Sequence, residues 1–334
     1  MTGRAIYGDC RESMRRLIAD GERVQMCVTS PPYFGLRDYG HARQLGLEPT
    51  VDEYVANMVE VFGLVRELLA DDGVCWLNLG DSYASGPMTG RELAGERSGG
   101  TLNGRYGAAD NVSMAQRLCA VPPGLKPKDL IGIPWRVAFA LQADGWYLRQ
   151  DIIWHKPNPM PESVRDRCTK AHEYLFLLAK SERYFYNAGA IAEAAANSTA
   201  RRAAYKNGGA KDIGNYQDGQ RGRLSSQSFA QYAENGRNRR SVWTIAPKPY
   251  RGAHFATFPP ALIEPCILAG SRPGDTVFDP FLGSGTTGEV ATRLGRRWLG
   301  CELNEDYRPL IEARTAQPGL LASLSGGKQQ GAAA

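Results

Sequence analysis

Short apolar runs alternate with stretches of helical periodicity along most of this 334-residue chain. The runs at 5–7, 24–28, 74–79, 148–154, 174–179, 277–278 and 298–302 predict strands, because they are short and apolar and end at turn residues. Apolar residues at helical spacing predict helices near 14–18, 55–69, 133–146, 262–267 and 290–294. This alternation predicts one open α/β sheet with a mostly parallel core.

The run at 24–28 leads directly into Thr29-Ser30-Pro31-Pro32-Tyr33. Proline has no N–H to donate and a fixed φ, so two prolines end a strand in a stiff turn. In an open α/β sheet, the carboxyl end of a strand is where ligands bind. A flat ring that bears an amine could bind at this place. Its amine would donate to the hydroxyl and the rigid carbonyl, and the aromatic ring would stack on it. An ordinary Pro-Pro turn with Tyr33 packed over it is the alternative.

A glycine turn follows the run at 277–278 and precedes a helical pattern. Gly283, Gly285 and Gly288 let the backbone approach a ligand closely, and a helix N-terminus offers free N–H groups. Their spacing fits G-x-G-x-x-G, so a dinucleotide site is one interpretation. The next predicted strand ends at Glu302, where an acid suits ribose hydroxyls. A P-loop is excluded because no Gly-Lys-Ser/Thr closes the turn.

The composition argues against a secreted, a membrane-spanning and a zinc-stabilised protein. Apolar residues make up 43% of the chain, which is ample for a core, and no long apolar stretch predicts a signal peptide or a membrane span. The seven cysteines are scattered without a C-x-x-C pair, so we expect a reduced cytoplasmic protein without structural zinc. For His155 and His172, a structural role is favoured over a metal site.

The segment at 197–251 differs from the rest of the chain in its charge. It holds eleven lysines and arginines but three acids, an excess of +8 that is larger than the net charge of +5 of the whole chain. Such residues, interleaved with Asn, Gln, Ser and Tyr, suit contacts to phosphates and base edges. A solvated, flexible insert is the alternative. Two further polar segments, 84–124 and the tail from 317, predict a long loop and disorder.

The stretch from Asp279 to Thr287, with Glu302 behind it, resembles the S-adenosylmethionine site of DNA amino-methyltransferases. The Thr29-to-Tyr33 stretch resembles their catalytic motif, and the order of the two motifs resembles the β group. The resemblance covers roughly residues 4 to 312. It implies a Rossmann-like methyltransferase sheet with circularly permuted motif order and an inserted target-recognition region.

The resemblance also divides the chain. It implies a catalytic half at 1–196, the inserted recognition region at 197–251, the cofactor half of the same domain at 252–316, and a flexible tail at 317–334. It implies that the cofactor is bound by Asp9, Cys10, Phe255, Thr257, Asp279, Phe281, Gly283, Ser284, Gly285, Thr286, Thr287, Glu302 and Asn304. For Asp9 the cofactor role is favoured over a helix cap, and for Asn304 a helix cap is an equal alternative.

The implied reaction moves a methyl group from S-adenosylmethionine to an exocyclic amine of a base in DNA. Ser30 Oγ and the Pro31 carbonyl would accept from the amine, and Tyr33, held by Pro32, would stack on a base flipped out of the duplex. Serine is commoner at this position in the N4-cytosine enzymes, and adenine enzymes mostly carry Asp or Asn there, so Ser30 favours N4 of cytosine as the target. The expected DNA contacts are Arg201, Arg202, Arg221, Arg223, Arg237, Arg239 and Arg240.

The expected partner is double-stranded DNA. The resemblance leaves open a homodimer, a cognate restriction endonuclease and N6-adenine as the target. Two interpretations from other classes also stay open. An NAD-dependent oxidoreductase would use the turn at Gly283, and a non-catalytic DNA-binding protein would use the basic segment alone.

Overall fold

We describe a computed structural model of the protein at residues 3–41, 43–84, 121–194, 236–247 and 258–316. The strands in these ranges are β1 (Gly3–Tyr7), β2 (Val24–Thr29), β3 (Leu69–Leu79), β4 (Tyr147–His155), β5 (His172–Ala179), β6 (Val242–Thr244), β7 (Thr276–Asp279) and β8 (Arg297–Glu302). The helices are α1 (Cys10–Ala19), α2 (Val51–Leu68), α3 (Ile133–Ala143), α4 (Pro260–Gly270), α5 (Thr286–Arg293) and α6 (Arg308–Thr315).

All eight of these strands belong to one sheet, in the order β1-β8-β7-β2-β3-β5-β4-β6. Five of its neighbouring pairs are parallel, and β5 runs antiparallel to both β3 and β4. The predicted α/β class and the mostly parallel core are therefore confirmed. The reversal of β5 was not predicted, and it decides which residues reach the site.

Helices cover both faces of the sheet and enclose two apolar cores. On one face, α1, α2 and α3 bury residues such as Met14, Phe62 and Leu141 against the strands. On the other, α4, α5 and α6 bury residues such as Leu262 and Ile311. Neighbouring residues of one strand point to opposite cores because side chains alternate across a strand. A sheet buried on both faces explains why the predicted strands are continuous apolar runs.

Several segments predicted from the sequence lie partly or wholly outside the described residues. Residues 85–120, 195–235, 248–257 and 317–334 lie outside the described ranges, and with them most of the predicted loop, insert and tail. The described end of the segment at 197–251 contains β6, which pairs in parallel with β4 at the sheet edge. That part of the predicted insert therefore belongs to the sheet. The domain boundaries themselves stay predictions.

None of the helices within the described ranges has the length and apolar character needed to cross a membrane.

Candidate active site

The carboxyl ends of the parallel strands gather the predicted site residues at one edge of the sheet. β1 is followed by Asp9, β2 by Ser30, β7 by Pro280, and β8 ends at Glu302. Because β5 runs the other way, its first residues lie at this same edge, with Glu173 opposite Trp154 in the register. The topology therefore joins segments that are far apart in the chain.

A cleft lies at this edge, with about 970 Å³ of space that includes open solvent at its mouth. Both motifs predicted from the sequence contribute to its wall. Its lining comprises Gly8, Asp9, Cys10, Ser30, Pro32, Tyr39, His41, Arg43, Gln44, Leu45, Pro280, Phe281, Gly283, Ser284, Glu302, Leu303, Asn304 and Tyr307. The Pro-Pro turn and the glycine turn thus share one cavity, although some 250 residues separate them in the chain.

The glycine turn needs its glycines for conformation and for space. Gly283 and Gly285 have φ of +54° and +86°, in the left-handed region that favours glycine. A Cβ on Gly285 would also lie 3.2 Å from the Cα of Ile311 in α6. The turn leads into α5, whose first residue is Thr286. This geometry brings the backbone up to the cleft, as the sequence predicts.

Glu302 is a buried carboxylate at the floor of this turn. It accepts hydrogen bonds from the backbone N–H of Gly283 at 2.7 Å and of Asn304 at 2.8 Å. Burial raises the pKa of Glu302 to about 7, and the backbone hydrogen bonds offset only part of that effect. An acceptor of this kind at the end of the second strand of a βαβ unit suits vicinal hydroxyls.

Asp279 lies behind the turn and is 1% exposed. Its carboxylate accepts from the hydroxyls of Thr29 and Thr287, each at 2.6 Å, and from the backbone N–H of Phe281 at 3.0 Å. Thr286 is also buried, and its hydroxyl accepts from Arg314 at 2.9 Å. These internal bonds brace the turn against β2. Asp279, Thr286 and Thr287 are not among the residues that line the cleft.

Asp9, Cys10 and Asn304 also line the cleft, beside Glu302. Asp9 caps α1 by accepting from the backbone N–H of Arg11 at 2.8 Å, and its pKa lies below the usual value because the bonds from Arg11 outweigh burial. Burial raises the pKa of the Cys10 thiol to about 12, so it is neutral. Asn304 caps a short 3-10 turn through the N–H of Asp306. The cap roles are thereby confirmed, and the cofactor roles stay predictions.

The Pro-Pro turn is held rigidly at the other wall. Ser30 and Pro32 line the cleft, whereas Pro31 is buried behind them. The Pro32 carbonyl accepts from the hydroxyl of Tyr54 at 2.9 Å, which ties the turn to α2. The turn is therefore fixed both by its own geometry and by the core.

Tyr33 is anchored through its phenol oxygen. The hydroxyl donates to Glu173 Oε2 at 2.7 Å, Ser30 Oγ donates to the phenol oxygen at 3.2 Å, and Asn78 Oδ1 lies 3.1 Å from it. Burial is the main cause that raises the pKa of Tyr33 well above the usual value, so the phenol keeps its proton. The ring lies directly over Gly80, where a Cβ would be 2.5 Å from Tyr33 Cε2.

Glu173 itself is fixed by two further groups. The ammonium of Lys156 forms an ion pair with Oε1, and the side chain of Glu173 is 16% exposed. The amide N–H groups of Asn78 bond to Glu173 Oε2 at 3.2 Å and to the Tyr174 carbonyl at 3.0 Å. Sequence reasoning did not place Glu173, Asn78, Lys156 and Gly80 at the site. For Glu173 the reason is the reversal of β5, which nothing local in the chain shows. Asn78 and Gly80 lie at the carboxyl end of β3, next to β2, and that position is a signal that could have identified them.

The comparisons with known proteins agree with this geometry. The model of the N6 and N4 DNA methylase family matches residues 24–313. The chain is 45% identical to the type II methyltransferase M.SmaI of Serratia marcescens over 309 residues, covering 92% of this chain and 89% of that protein. It is also 45% identical to M.Cfr9I of Citrobacter freundii, over 90% of this chain and 83% of that protein.

The chain belongs to the N6/N4 DNA methylase family.

The fold of this DNA methylase is shared with solved structures of low sequence identity. The cytosine-N4-specific PvuII DNA methyltransferase is 18% identical with a TM-score of 0.57, covering 93% of this chain and 86% of that chain. TTHA0409 of Thermus thermophilus, solved with S-adenosyl-L-methionine, is 22% identical with a TM-score of 0.53, covering 94% and 93%. The predicted family, the Rossmann-like fold and the predicted cofactor, S-adenosylmethionine, are confirmed.

The cleft of this DNA methylase fits that cofactor chemically. A nucleoside offers ribose hydroxyls and a base amine as donors, and the cleft presents the acceptors Glu302 and Asp9. Phe281 and Ser284 also line it, beside the close backbone at Gly283. Phe255 and Thr257, predicted from the resemblance to contact the cofactor, lie outside the described residues.

The predicted DNA contacts of the methylase are described only in part, because Arg201, Arg202, Arg221 and Arg223 lie outside the described ranges. The other three have partners within the protein. Arg237 and Arg240 both form ion pairs with Glu193, and the guanidinium of Arg239 lies 4.6 Å from the ring centre of Trp243. Arg240 is the most open to solvent, at 69% exposure against 40% for Arg237. Their role toward DNA stays a prediction.

Both histidines singled out in the sequence lie where β4 ends and β5 begins. His155 and His172 are opposite each other in the register. His155 Nδ1 lies 3.1 Å from Thr244 Oγ1, and the ring of His172 contacts Tyr174 edge-on. Burial lowers the pKa of His172. These contacts support a structural role for both.

Proposed function

We propose that this DNA methylase transfers a methyl group to the exocyclic N4 of cytosine in double-stranded DNA. The observation that carries the proposal is a serine at the first position of the Pro-Pro turn, with its side chain at the wall of the cleft. Enzymes of this kind that act on adenine mostly carry Asp or Asn there. N6-adenine is the alternative target of the same chemistry.

The cofactor half would hold S-adenosylmethionine. Bound there, the cofactor supplies an electrophilic methyl group on a sulfonium. Glu302 would accept from the ribose hydroxyls, and Asp9 would accept from the adenine amine. The backbone of Gly283 and Ser284 would lie against the cofactor, with Phe281 beside it. Asp279, Thr286 and Thr287 would act from behind by fixing the turn.

The catalytic half would hold the target amine. The lone pair of an exocyclic amine is conjugated with its ring, so the amine is a poor nucleophile. Acceptors at Ser30 Oγ and the Pro31 carbonyl would favour a tetrahedral nitrogen whose lone pair faces the methyl group. The Pro32 carbonyl accepts from Tyr54, and Pro31 is buried outside the cleft lining, so the role of the Pro31 carbonyl rests on the resemblance.

The base must leave the duplex to reach Ser30, at a cost of a few kcal/mol. Stacking on the ring of Tyr33 would offset part of that cost. The ring is supported on one face by Gly80 and held by its hydroxyl, so it would form a fixed surface for the base. The basic segment at 197–251 would supply the contacts to phosphates and base edges.

The proposal extends to partners. Because the relatives are type II methyltransferases, we include a cognate restriction endonuclease that cuts the same site. A homodimer stays a prediction from the resemblance. The NAD-dependent and non-catalytic interpretations lose their support, because the whole of residues 24–313 matches DNA methylases.

The direct test is to identify the modified base. Unmethylated DNA of mixed sequence is incubated with the enzyme and methyl-labelled S-adenosylmethionine, digested to nucleosides and analysed by mass spectrometry. We expect the label in N4-methyldeoxycytidine. Label in N6-methyldeoxyadenosine would select the alternative target, and label in 5-methyldeoxycytidine would contradict the proposed chemistry.

A further inference from the structure

We infer that Glu173 is a positioning residue that acts through Tyr33 to fix the direction of the Ser30 hydroxyl. The hydroxyl proton points away from the cleft, and the lone pairs of Ser30 are left to accept from the target amine. This inference rests on the proposed role of Ser30, and holds for either target base. None of the residues that carry it beyond the Pro-Pro turn was visible in the sequence motifs.

The series begins at Glu173. The Lys156 ammonium, itself 21% exposed, forms an ion pair with Oε1 of the Glu173 carboxylate. A carboxylate accepts hydrogen bonds and has no proton to give. Its Oε2 therefore can only accept from the Tyr33 hydroxyl, 2.7 Å away. Charge-assisted bonds of this kind are the stronger ones in proteins.

The next step is the single proton of Tyr33. Asn78 is also close, but its amide N–H groups are directed to Glu173 and to the Tyr174 carbonyl, so it presents Oδ1 to the phenol. Both neighbours on this side of Tyr33 are then acceptors. The phenol proton points toward them and away from Ser30, and a lone pair of the phenol oxygen is left for Ser30.

The last step is Ser30. Its hydroxyl is 3.2 Å from the phenol oxygen and can bond to it only by donating. A serine oxygen has one proton and two lone pairs, and with the proton used the lone pairs remain for the cleft that Ser30 lines. An exocyclic amine is a donor. A Ser30 hydroxyl that pointed its proton into the cleft would oppose the N–H instead of accepting from it.

The test is Glu173→Gln, which keeps the size but can present an N–H to Tyr33. The phenol proton is then free to turn toward Ser30. We expect kcat for methyl transfer to fall by about 10- to 100-fold, as for loss of one oriented group in a transition state, with KM for S-adenosylmethionine changed less than about twofold. The matched control is Glu264→Gln. Glu264 lies in α4, and its carboxylate accepts a hydrogen bond from Arg293 of α5 at 2.9 Å. We expect the control to keep wild-type kcat.

The variant Tyr33→Phe tests whether Glu173 acts on Ser30 through the phenol oxygen of Tyr33. This variant removes the phenol oxygen, so it should lower kcat by a similar factor. Because both residues act on Ser30 in series, Glu173→Gln added to Tyr33→Phe should cause no further loss. A double variant in which the two losses of kcat multiply would overturn the inference, because Glu173 would then affect methyl transfer by a route other than the phenol of Tyr33. Wild-type kcat in either single variant would also overturn it.

Ser30→Ala distinguishes this inference from the proposed function. If Ser30→Ala loses methyl transfer while Glu173→Gln keeps wild-type kcat, the inference is overturned and the proposed function is still supported. Wild-type kcat in Ser30→Ala would overturn both the inference and the proposed function. Binding of S-adenosylmethionine and the melting temperature, measured on each variant, identify a variant that fails to fold, and the remaining single variant then decides.

Discussion

The two ends of the cleft are built in different ways. At the cofactor end, several contacts join close neighbours in the chain, such as Asp279 with Phe281 and Thr287, or Glu302 with Asn304, and one long-range bond joins Asp279 to Thr29. At the target end, Tyr33 meets Asn78 and Glu173, which lie 45 and 140 residues further on. The first end is held mainly by turn geometry, and the second by side chains from β3, β5 and the turn after β2.

This difference has a functional meaning. The cofactor is the same in every turnover, and a backbone turn with a buried carboxylate suits a constant ligand. The target end must set the direction of one hydroxyl, which a backbone turn alone cannot do because a hydroxyl rotates freely. A set of side chains with a fixed order of donors and acceptors can set the direction of that hydroxyl. The following substitutions test this comparison.

The largest effect is expected on stability, at Asp279. Asp279→Ala leaves the buried hydroxyls of Thr29 and Thr287 without their common acceptor. Leaving a buried polar group without its partner costs about 1–3 kcal/mol each, and such costs are not additive, so we expect the free energy of unfolding to fall by about 3 kcal/mol. Burial raises the pKa of Asp279 to about 6, so its ionised form costs stability above that pH and the loss in Asp279→Ala should be smaller at pH 8. Urea unfolding at pH 5.5 and at pH 8 measures this. A loss below about 1 kcal/mol at pH 5.5 would contradict the bracing role.

Gly80→Ala should break the target end alone. The added Cβ would overlap the ring of Tyr33, which its hydroxyl holds in place. A displacement of about 1 Å in a catalytic group can cost a hundredfold, so we expect methyl transfer to fall by about that factor while cofactor binding persists. The matched control is Gly63→Ala in α2, where the nearest atom to the new Cβ is 3.9 Å away. Equal activity of the two variants would refute this account of Tyr33.

A smaller effect, confined to the cofactor end, is expected from pH. The pKa of Glu302 is about 7, so the carboxylate is ionised above that pH and protonated below it. The ionised form is the better acceptor for ribose hydroxyls. The affinity for S-adenosylmethionine should therefore fall by up to about tenfold from pH 8 to pH 6, as the ionised fraction falls.

Calorimetry at several pH values tests this prediction, and Glu302→Gln is its control. Glutamine does not titrate, so the variant should bind the cofactor weakly and with little change over the same range. Asp9 cannot produce the effect, since its pKa lies below the usual value. An unchanged pH dependence in Glu302→Gln would assign the titration to another group.

The smallest effect is expected at the described end of the basic segment. Arg240→Ala should weaken DNA binding severalfold and reduce the slope of log affinity against log salt by about one, if Arg240 contacts a phosphate. Arg4→Ala is the matched control, because Arg4 is also exposed and paired, with Glu22, at the far end of β1. Equal slopes for the two variants would remove Arg240 from the DNA contacts.

The sequence predicts the cofactor end better than the target end for a physical reason. A glycine turn between a strand and a helix is encoded within about ten residues, and the structure has this turn at Gly283 and Gly285, with Gly283 and Glu302 at the cleft. The turn at Ser30 was also predicted, together with its position at the cleft. Its partner Glu173 was not, because its position depends on the antiparallel pairing of β5 with β3 and β4. Long-range pairing leaves no local mark in the chain.

Some residues that the sequence assigns to ligands also have partners within the protein. Asp279 belongs to the predicted cofactor motif, and its bonds to Thr29, Phe281 and Thr287 hold the glycine turn in place. Arg239 was predicted to contact DNA, and its guanidinium lies over Trp243. Charge and motif membership show where a polar residue is needed. The packing around it shows what it contacts.

The measurement that tests the central claim most directly is a crystal structure of the enzyme with S-adenosylmethionine. We predict the ribose hydroxyls within hydrogen-bond distance of Glu302, and the methyl group directed along the cleft toward Ser30, so that a nitrogen held by Ser30 would lie about 3–3.5 Å from the methyl carbon. A cofactor bound with its ribose away from Glu302, or with its methyl group turned from Ser30, would contradict the account.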